Sequence, residues 1–406
     1  MMRGSFDYSI CLNELMKKLL TAPVRMNLSD TQNQYYQQIL QQVAHLSLNF
    51  MAVKVEHHPE NFIEWCKEFY RICRQDLNLE LLDEHQFKPL KKIEDTLTQA
   101  ISVDQIKLSR VMPWPVFVGF IEQNSSRHGL DERKALLAYL QTKLSTPFDE
   151  LIEEDRLALI GKHTNKHDPS IYQFDVEWFG ATKANKSFMS LVNEQPKAIA
   201  TLISIIPIEG DITEQIYFDF VEKYIALYSQ FLPNEKIAFI PATRLLAMIR
   251  PDQFVSLTNA KLDVLCNGLG IAKITNQGPK AFFDYWHEVI ITMRNSPWWA
   301  HGQPEDENEQ AIWAYRAALL DLFIFVEEDH ATHSNFVKLR DKPKKATGKQ
   351  TATKRTKASA EQLVDQALQD ESIPEFIKGM RDSIIKSVQA GKSVDDSISL
   401  MKAIFS

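Results

Sequence analysis

The stretch SDTQNQYYQQILQQVAHLSLNFMAVK, residues 29–54, decides the fold class. Tyr35, Ile39, Val43 and Leu46 recur at intervals of three and four between glutamines. That spacing predicts a helix with one buried face. The same period returns over residues 61–74 with Phe62, Trp65, Phe69 and Ile72. Residues 130–144 predict another helix, with Asp131 and Glu132 in the first turn, where carboxylates suit the unpaired amides. Residues 212–231, 279–293 and 307–325 complete the strong helical candidates. Strand signals are short and confined to 171–178, 237–240 and 254–257. The expected class is mainly α: a multi-helical body with few short strands, a disordered basic linker and a small C-terminal helical hairpin.

Composition narrows the function classes. With 406 residues, 44% of them hydrophobic and 24% charged, the chain can bury two or three domain cores. No apolar run approaches the roughly 18 residues of a membrane helix. The segment carrying Arg3, Asp7 and Glu14 lacks the long apolar core of a secretory leader. Cys11, Cys66, Cys73 and Cys266 form no CxxC pair and no disulfide framework, so a cytoplasmic protein is expected. Glycine is scarce, at 13 residues, and neither GxGxxG nor GxxxxGK[ST] occurs. Folds that cradle phosphates need glycine at fixed places, so a nucleotide-driven motor and a dinucleotide dehydrogenase are excluded. No cofactor is expected.

Charge is unevenly spread. Residues 338–357 hold nine basic side chains against the single acid Asp341, which leaves +8 there and −15 on the remainder of a chain whose total is −7. Lys342, Lys344, Lys345, Lys349, Lys354, Arg355 and Lys357 carry most of it among Thr, Ala and Gly, with no aromatic residue within 338–357. Such a run cannot fold by burial. It serves either as a solvated tether or as a sequence-blind phosphate binder.

The expected organisation is an N-terminal helical domain over 1–112, a central helical domain over 113–335, the linker over 336–358 and a hairpin over 359–406. The first boundary rests on Met112-Pro113-Trp114-Pro115, which cannot be helix interior. In the hairpin, Ser372-Ile373-Pro374-Glu375 has the residues of a capped helix start. Phe376, Met380, Ile384 and Val388 form one stripe, and Ile398, Met401 and Phe405 continue the next after Gly391 and Ser393. Two such helices bury little alone, so the stripes dock on the body, on a second copy or on a protein partner.

Residues able to carry chemistry are few. His163 and His167 have HxxxH spacing, but Gly161 and Asp168-Pro169 suggest a loop of solvated histidines. Glu327, Glu328, Asp329, His330 and His333 cluster after an apolar helix, as a divalent-ion site or as a solvated helix end. Glu132-Arg133-Lys134 has the letters of a nuclease (Asp/Glu)-x-Lys motif on a helix start, the wrong scaffold. No GxSxG elbow is present. No catalytic or metal site is assigned.

Residues 240–325 are the most distinctive. Arg244 and Arg250, the Gly268-Leu269-Gly270 turn with Lys273, and Trp298-Trp299 are the candidate nucleic-acid contacts. The turn partly matches a helix-hairpin-helix, whose backbone amides meet a phosphate; a glycine helix stop explains it equally well. The tryptophan pair could stack on bases or belong to the core with Trp286 and Trp313. Arg244, Arg250, Arg294 and Arg316 line a cleft or pair with Asp252, Asp284 and Asp321.

Ala242-Thr243-Arg244-Leu245-Leu246-Ala247-Met248, Arg250-Pro251-Asp252, Phe254-Val255, Gly270-Ile271, Tyr285-Trp286 and Ser296-Pro297-Trp298-Trp299 together carry a resemblance. This block, about a fifth of the chain, resembles uncharacterised bacterial proteins, some of them near restriction or phage-defence genes. Those relatives have an Asp-Ser pair after the short strand, where this chain has Thr258-Asn259. The resemblance implies an antiviral-defence setting and brings no activity with it. The expected function is a non-catalytic component that binds DNA, RNA or a nucleoprotein. The alternative is a scaffold or adaptor whose C-terminal helices hold a protein partner without nucleic-acid contact.

Overall fold

A computed structural model of the chain describes residues 27–46, 61–77, 79, 82–182, 185–325, 334–341, 360–368, 373–389, 394 and 397–398. The fold is mainly helical and divides into two compact units, Met1–Lys342 and Pro343–Ser406.

In the larger unit, α1 (Asp30–Leu46) and α2 (Phe62–Arg71) pack on the long α3 (Phe87–Ser109). The periodic residues read from the sequence, Tyr35, Ile39, Val43, Phe62, Trp65 and Phe69, are buried there. Asn61 starts α2 by accepting the amides of Ile63 and Glu64 on its side chain. The proline cluster is a corner into α4 (Trp114–Gln123), and one continuous core runs past it. The break expected at 112/113 therefore falls inside a single packed body. The reason is visible at Trp114, which is buried and donates its indole N–H to Glu309 at 2.7 Å.

The chain continues through α5 (Leu130–Lys143), α6 (Glu153–Ile160), α7 (Lys186–Glu194), α8 (Pro196–Ile203) and α9 (Glu214–Phe231). Next comes α10 (Phe239–Ile249), the innermost helix, where every residue but Ile240 is buried. A helix that is apolar almost all round belongs at the centre of a fold. It packs against α5 and α6, and its polar side chains are Thr243 and Arg244. Helix α11 (Asn259–Leu269) follows and packs on α3. The next helix begins as α12 (Pro279–Asp284), widens over Tyr285–Ile290 and closes with Ile291–Arg294.

Among the described residues no strand forms; one antiparallel bridge, Ala238 to Gln277, is all that the expected strands yield. Residues 171–178 are turns, and 237–240 run into the start of α10. Residues 254–257 are buried and form no strand; side chains satisfy part of their backbone in place of a neighbouring strand. Tyr285 donates to the Val255 carbonyl at 2.7 Å, and the Leu257 amide donates to Thr243 Oγ1 at 3.0 Å. The helix expected over 307–325 splits into α13 (Glu307–Ala314) and a 3-10 turn, Ala318–Phe323. The unit ends in α14 (Asn335–Arg340).

The smaller unit has its own core. It contains α15 (Ala360–Leu368), absent from the expected hairpin, with α16 (Glu375–Lys378) and α17 (Arg381–Gln389). The single helix expected from Glu375 is interrupted at Gly379-Met380. A bidentate pair from Arg381 to Asp365 joins α17 to α15 at the surface, where exposed pairs contribute little to stability.

Gly268 sets the approach of α11 to α3, since a Cβ there would lie 2.5 Å from Ile106 Cβ. Gly268→Ala is expected to force these helices apart and to destabilise the larger unit by about 1–3 kcal/mol. A urea-unfolding midpoint unchanged from that of the parent protein would contradict this.

Candidate functional site

Arg244 is 1% exposed. Its guanidinium donates to the carbonyls of Trp178, Val176 (2.8 Å) and Ala158 (3.3 Å). Burial pulls its pKa down to about 10, against the field of Glu177, Asp175 and Asp321. The side chain holds the irregular segment 158–180 onto α10, so no phosphate can reach it and the expected nucleic-acid contact is corrected. Gly161 is required beneath it: its φ is +77° and a Cβ would meet Arg244 Nε at 2.3 Å.

Arg250 is equally committed. It grips Asp252 through Nε (2.9 Å) and Nη2 (2.8 Å) and donates to the carbonyls of Pro207 (2.7 Å) and Gly210 (2.5 Å). Arg294 donates to Ile212 O and Gln253 Oε1 and lies over Trp286, 4.8 Å from its ring centre. Arg316 donates to Trp313 O and stacks on Trp313 and Trp299 at 4.3 and 4.8 Å. Burial lowers the pKa of both Arg294 and Arg316. Trp298 is buried and stacks on Phe117 at 4.4 Å, which makes it core and removes it as a base-stacking surface. Trp299 is half-buried. Of the expected partners, Asp252 takes Arg250, Asp284 takes Lys280 and Asp321 takes Arg133.

The glycine turn is a helix stop. Gly270 caps α11 in the left-handed region, and its amide returns to carbonyls within α11, so that amide is not offered to a phosphate. Lys273 is exposed and pairs with Asp263 at 2.8 Å. His167 is buried, against the expectation of solvated histidines: both ring nitrogens lie within hydrogen-bonding distance of backbone atoms of Thr164 and Glu154. Among the described residues no three His, Cys, Asp or Glu side chains are grouped to hold a metal ion. The cluster Glu327 to His333 lies outside the described residues, as do Lys342, Lys344, Lys345, Lys349, Lys354, Arg355, Lys357, Met401 and Phe405. In the smaller unit Ile384 and Ile398 are turned into that unit's own core, so they are not a partner-facing stripe; Met380 and Val388 are half-buried. Phe376 lies in α16.

The structure brings together residues that sequence reading did not. Asp321 Oδ2 accepts from Arg133 Nη1 at 2.9 Å and from Lys261 Nζ at 2.6 Å, all three being buried. Arg133 also faces the rings of Trp178 and Phe179 at 4.2 and 5.1 Å. Phe179 is the one described non-glycine residue at positive φ, +69°, a conformation that costs about 1–3 kcal/mol. Above this triad opens a cleft of about 690 Å³ that Asp95, Asp175, Glu177, Trp178, Lys261 and Lys338 help to line. Helix α14 is fixed at its edge, because the Asn335 amide donates to Asp175 Oδ2 at 2.5 Å. Burial raises the Glu132 carboxyl nearby, against a hydrogen bond from Trp178. The cleft carries Asp95, Asp175 and Glu177 alongside Lys261 and Lys338. A signal was available in Arg133, a charge that is out of place on the apolar side of a helix start.

A second polar cluster sits between α5 and α6. Asp155 Oδ1 accepts from Tyr139 (2.5 Å) and Tyr172 (2.9 Å), and Oδ2 pairs with Lys143 at 2.9 Å. Burial pushes the Asp155 pKa up, but these hydrogen bonds and the Lys143 charge outweigh it and leave the carboxyl below its ordinary value. No family model, curated protein or solved structure matches the chain.

Arg244→Met leaves three buried carbonyls without a donor and is expected to cost about 3–5 kcal/mol, with Arg244→Lys recovering only part. Urea unfolding and limited proteolysis of the 162–182 region would read this, and parental stability in the Met variant would refute the clamp. The lowered Asp155 pKa contributes stability that is present above about pH 4 and is lost as pH falls through the folded value. Asp155→Asn is accordingly expected to be less stable near neutrality and to converge on the parent once pH has fallen below the lowered folded value. A stability gap that persists at acid pH would show that the charge is not the cause.

Proposed function

We propose that the protein is a non-catalytic nucleic-acid-associated binding component whose phosphate affinity resides in the basic segment 338–357. One observation carries the reading. The described cations of the 240–325 block are engaged inside the fold or at its surface with Asp252, Asp263, Asp284, Asp321 and backbone carbonyls, whereas residues 338–357 concentrate +8 on a chain that is otherwise −15. A segment of that charge binds phosphates by counterion release, without sequence preference. The acidic body keeps the duplex at a distance and leaves the segment as the contact. The resemblance of 240–325 to bacterial proteins near restriction and phage-defence genes favours an antiviral setting.

A second reading has its own support. The smaller unit closes a core of Val364, Leu368, Ile377, Ile384 and Ile398 without the larger one, which suits a separately folded module that holds a protein partner. In that reading the basic segment is a tether only.

The deciding experiment replaces Lys342, Lys344, Lys345, Lys349, Lys354, Arg355 and Lys357 by Gln and measures fluorescence anisotropy with labelled duplex and single-stranded DNA across a salt series. The full-length parent is expected to bind, with a log–log salt slope of about −0.9 per phosphate neutralised on duplex, and the Gln variant to lose that binding. Absence of binding by the parent would overturn the proposal in favour of the adaptor. Binding that survives in the variant would move the contact to the folded body and refute the assignment to the segment.

A further inference from the structure

Next to the Asp155 cluster lies a cavity of about 370 Å³, near the low end of the range for small-molecule sites. It opens between α5, α6, α8 and the end of α10, and its walls are aliphatic: Leu140, Leu144, Leu159, Ile203, Ile206 and Ile249. Ile208 at the wall is 55% exposed, an apolar side chain left in water at the rim. Lys143 and Asp155 are the only charged side chains in the lining.

These two charges do not present themselves equally. Asp155 is nearly inaccessible, and its oxygens are taken by two phenol hydroxyls and the Lys143 ammonium. The Lys143 side chain is 32% exposed; its ammonium carries three N–H donors, of which Asp155 takes one at 2.9 Å, and it lies 4.9 Å from the centre of the Tyr139 ring. The hydrogen bond to Asp155 also raises the lysine pKa, so the group stays charged. The charged end of the cavity is therefore a donor and a cation; the rest is mostly hydrocarbon, with the hydroxyl side chains Ser145, Thr146 and Ser204 also in the lining.

We propose that this cavity binds a small monocarboxylate with an aliphatic tail, the tail among the leucines and isoleucines and the carboxylate on the Lys143 ammonium. Lys143 then bridges two carboxylates. The hydroxyls of Tyr139 and Tyr172 spread the Asp155 charge and reduce the repulsion between them. An aliphatic amine of the same length meets a like charge at Lys143 and is rejected. The site stands apart from the basic segment, and its test does not depend on nucleic-acid binding.

Isothermal titration of the full-length chain with decanoate and with decylammonium, each below its micelle concentration, tests the assignment. One decanoate per chain is expected, with decylammonium at least about tenfold weaker. Lys143→Met is expected to weaken decanoate about tenfold and to erase the preference for the carboxylate. Ser204 lines the cavity from an exposed position, so Ser204→Trp is expected to fill the entrance and abolish binding with an unchanged thermal midpoint. Absence of saturable decanoate binding, equal binding of the amine, or undiminished binding by Ser204→Trp would each overturn the proposal.

Discussion

The Asp321 carboxylate, buried between Arg133 and Lys261, is the constraint on which the larger unit depends. It ties the start of α5, the start of α11 and the 3-10 turn into one place. Breaking such a group costs about 3–5 kcal/mol, although an apolar triad of equal volume could be as stable. Its contribution is to geometry: Arg133 can meet Asp321 and face Trp178 and Phe179 in only one arrangement of these segments. Asp321 Oδ1 has no hydrogen-bond partner among the described residues, so the carboxylate holds both cations through Oδ2.

Arg244 acts on the same segment from the other side. Residues 158–180 have almost no regular structure to satisfy their backbone, and the guanidinium supplies the donors that a helix or strand would. The positive φ of Phe179 persists because Arg244 holds the neighbouring carbonyl while Arg133 holds the ring. The irregular segment is thus rigidly placed by two buried cations drawn from α5 and α10.

The helices were legible because a period of three to four apolar residues has a single geometric meaning, and Tyr35, Ile39, Trp65 and Phe69 are buried where it places them. The short strands were not legible, because residues 254–257 have strand composition while their hydrogen bonds go to Tyr285 and Thr243, partners distant in sequence. The candidate site misled for a related reason. An arginine on a helix looks like a surface cation, and only the tertiary fold reveals that Arg244 faces three carbonyls. Arg133, Lys261 and Asp321 are separated by 188 and 60 positions, so no local pattern joins them.

Those separations also order events during synthesis. Arg133 is complete 188 residues before Asp321 exists, and the Ser102 hydroxyl waits 223 residues for the Phe325 amide. At about 5–20 residues per second, the Arg133 charge spends roughly 10–40 s on the nascent chain without the carboxylate that neutralises it. The helices that carry Arg133 and Lys261 can form in that time, but the carboxylate that joins them is made only afterwards. A chain that stops before residue 321 lacks the group that draws the starts of α5 and α11 together.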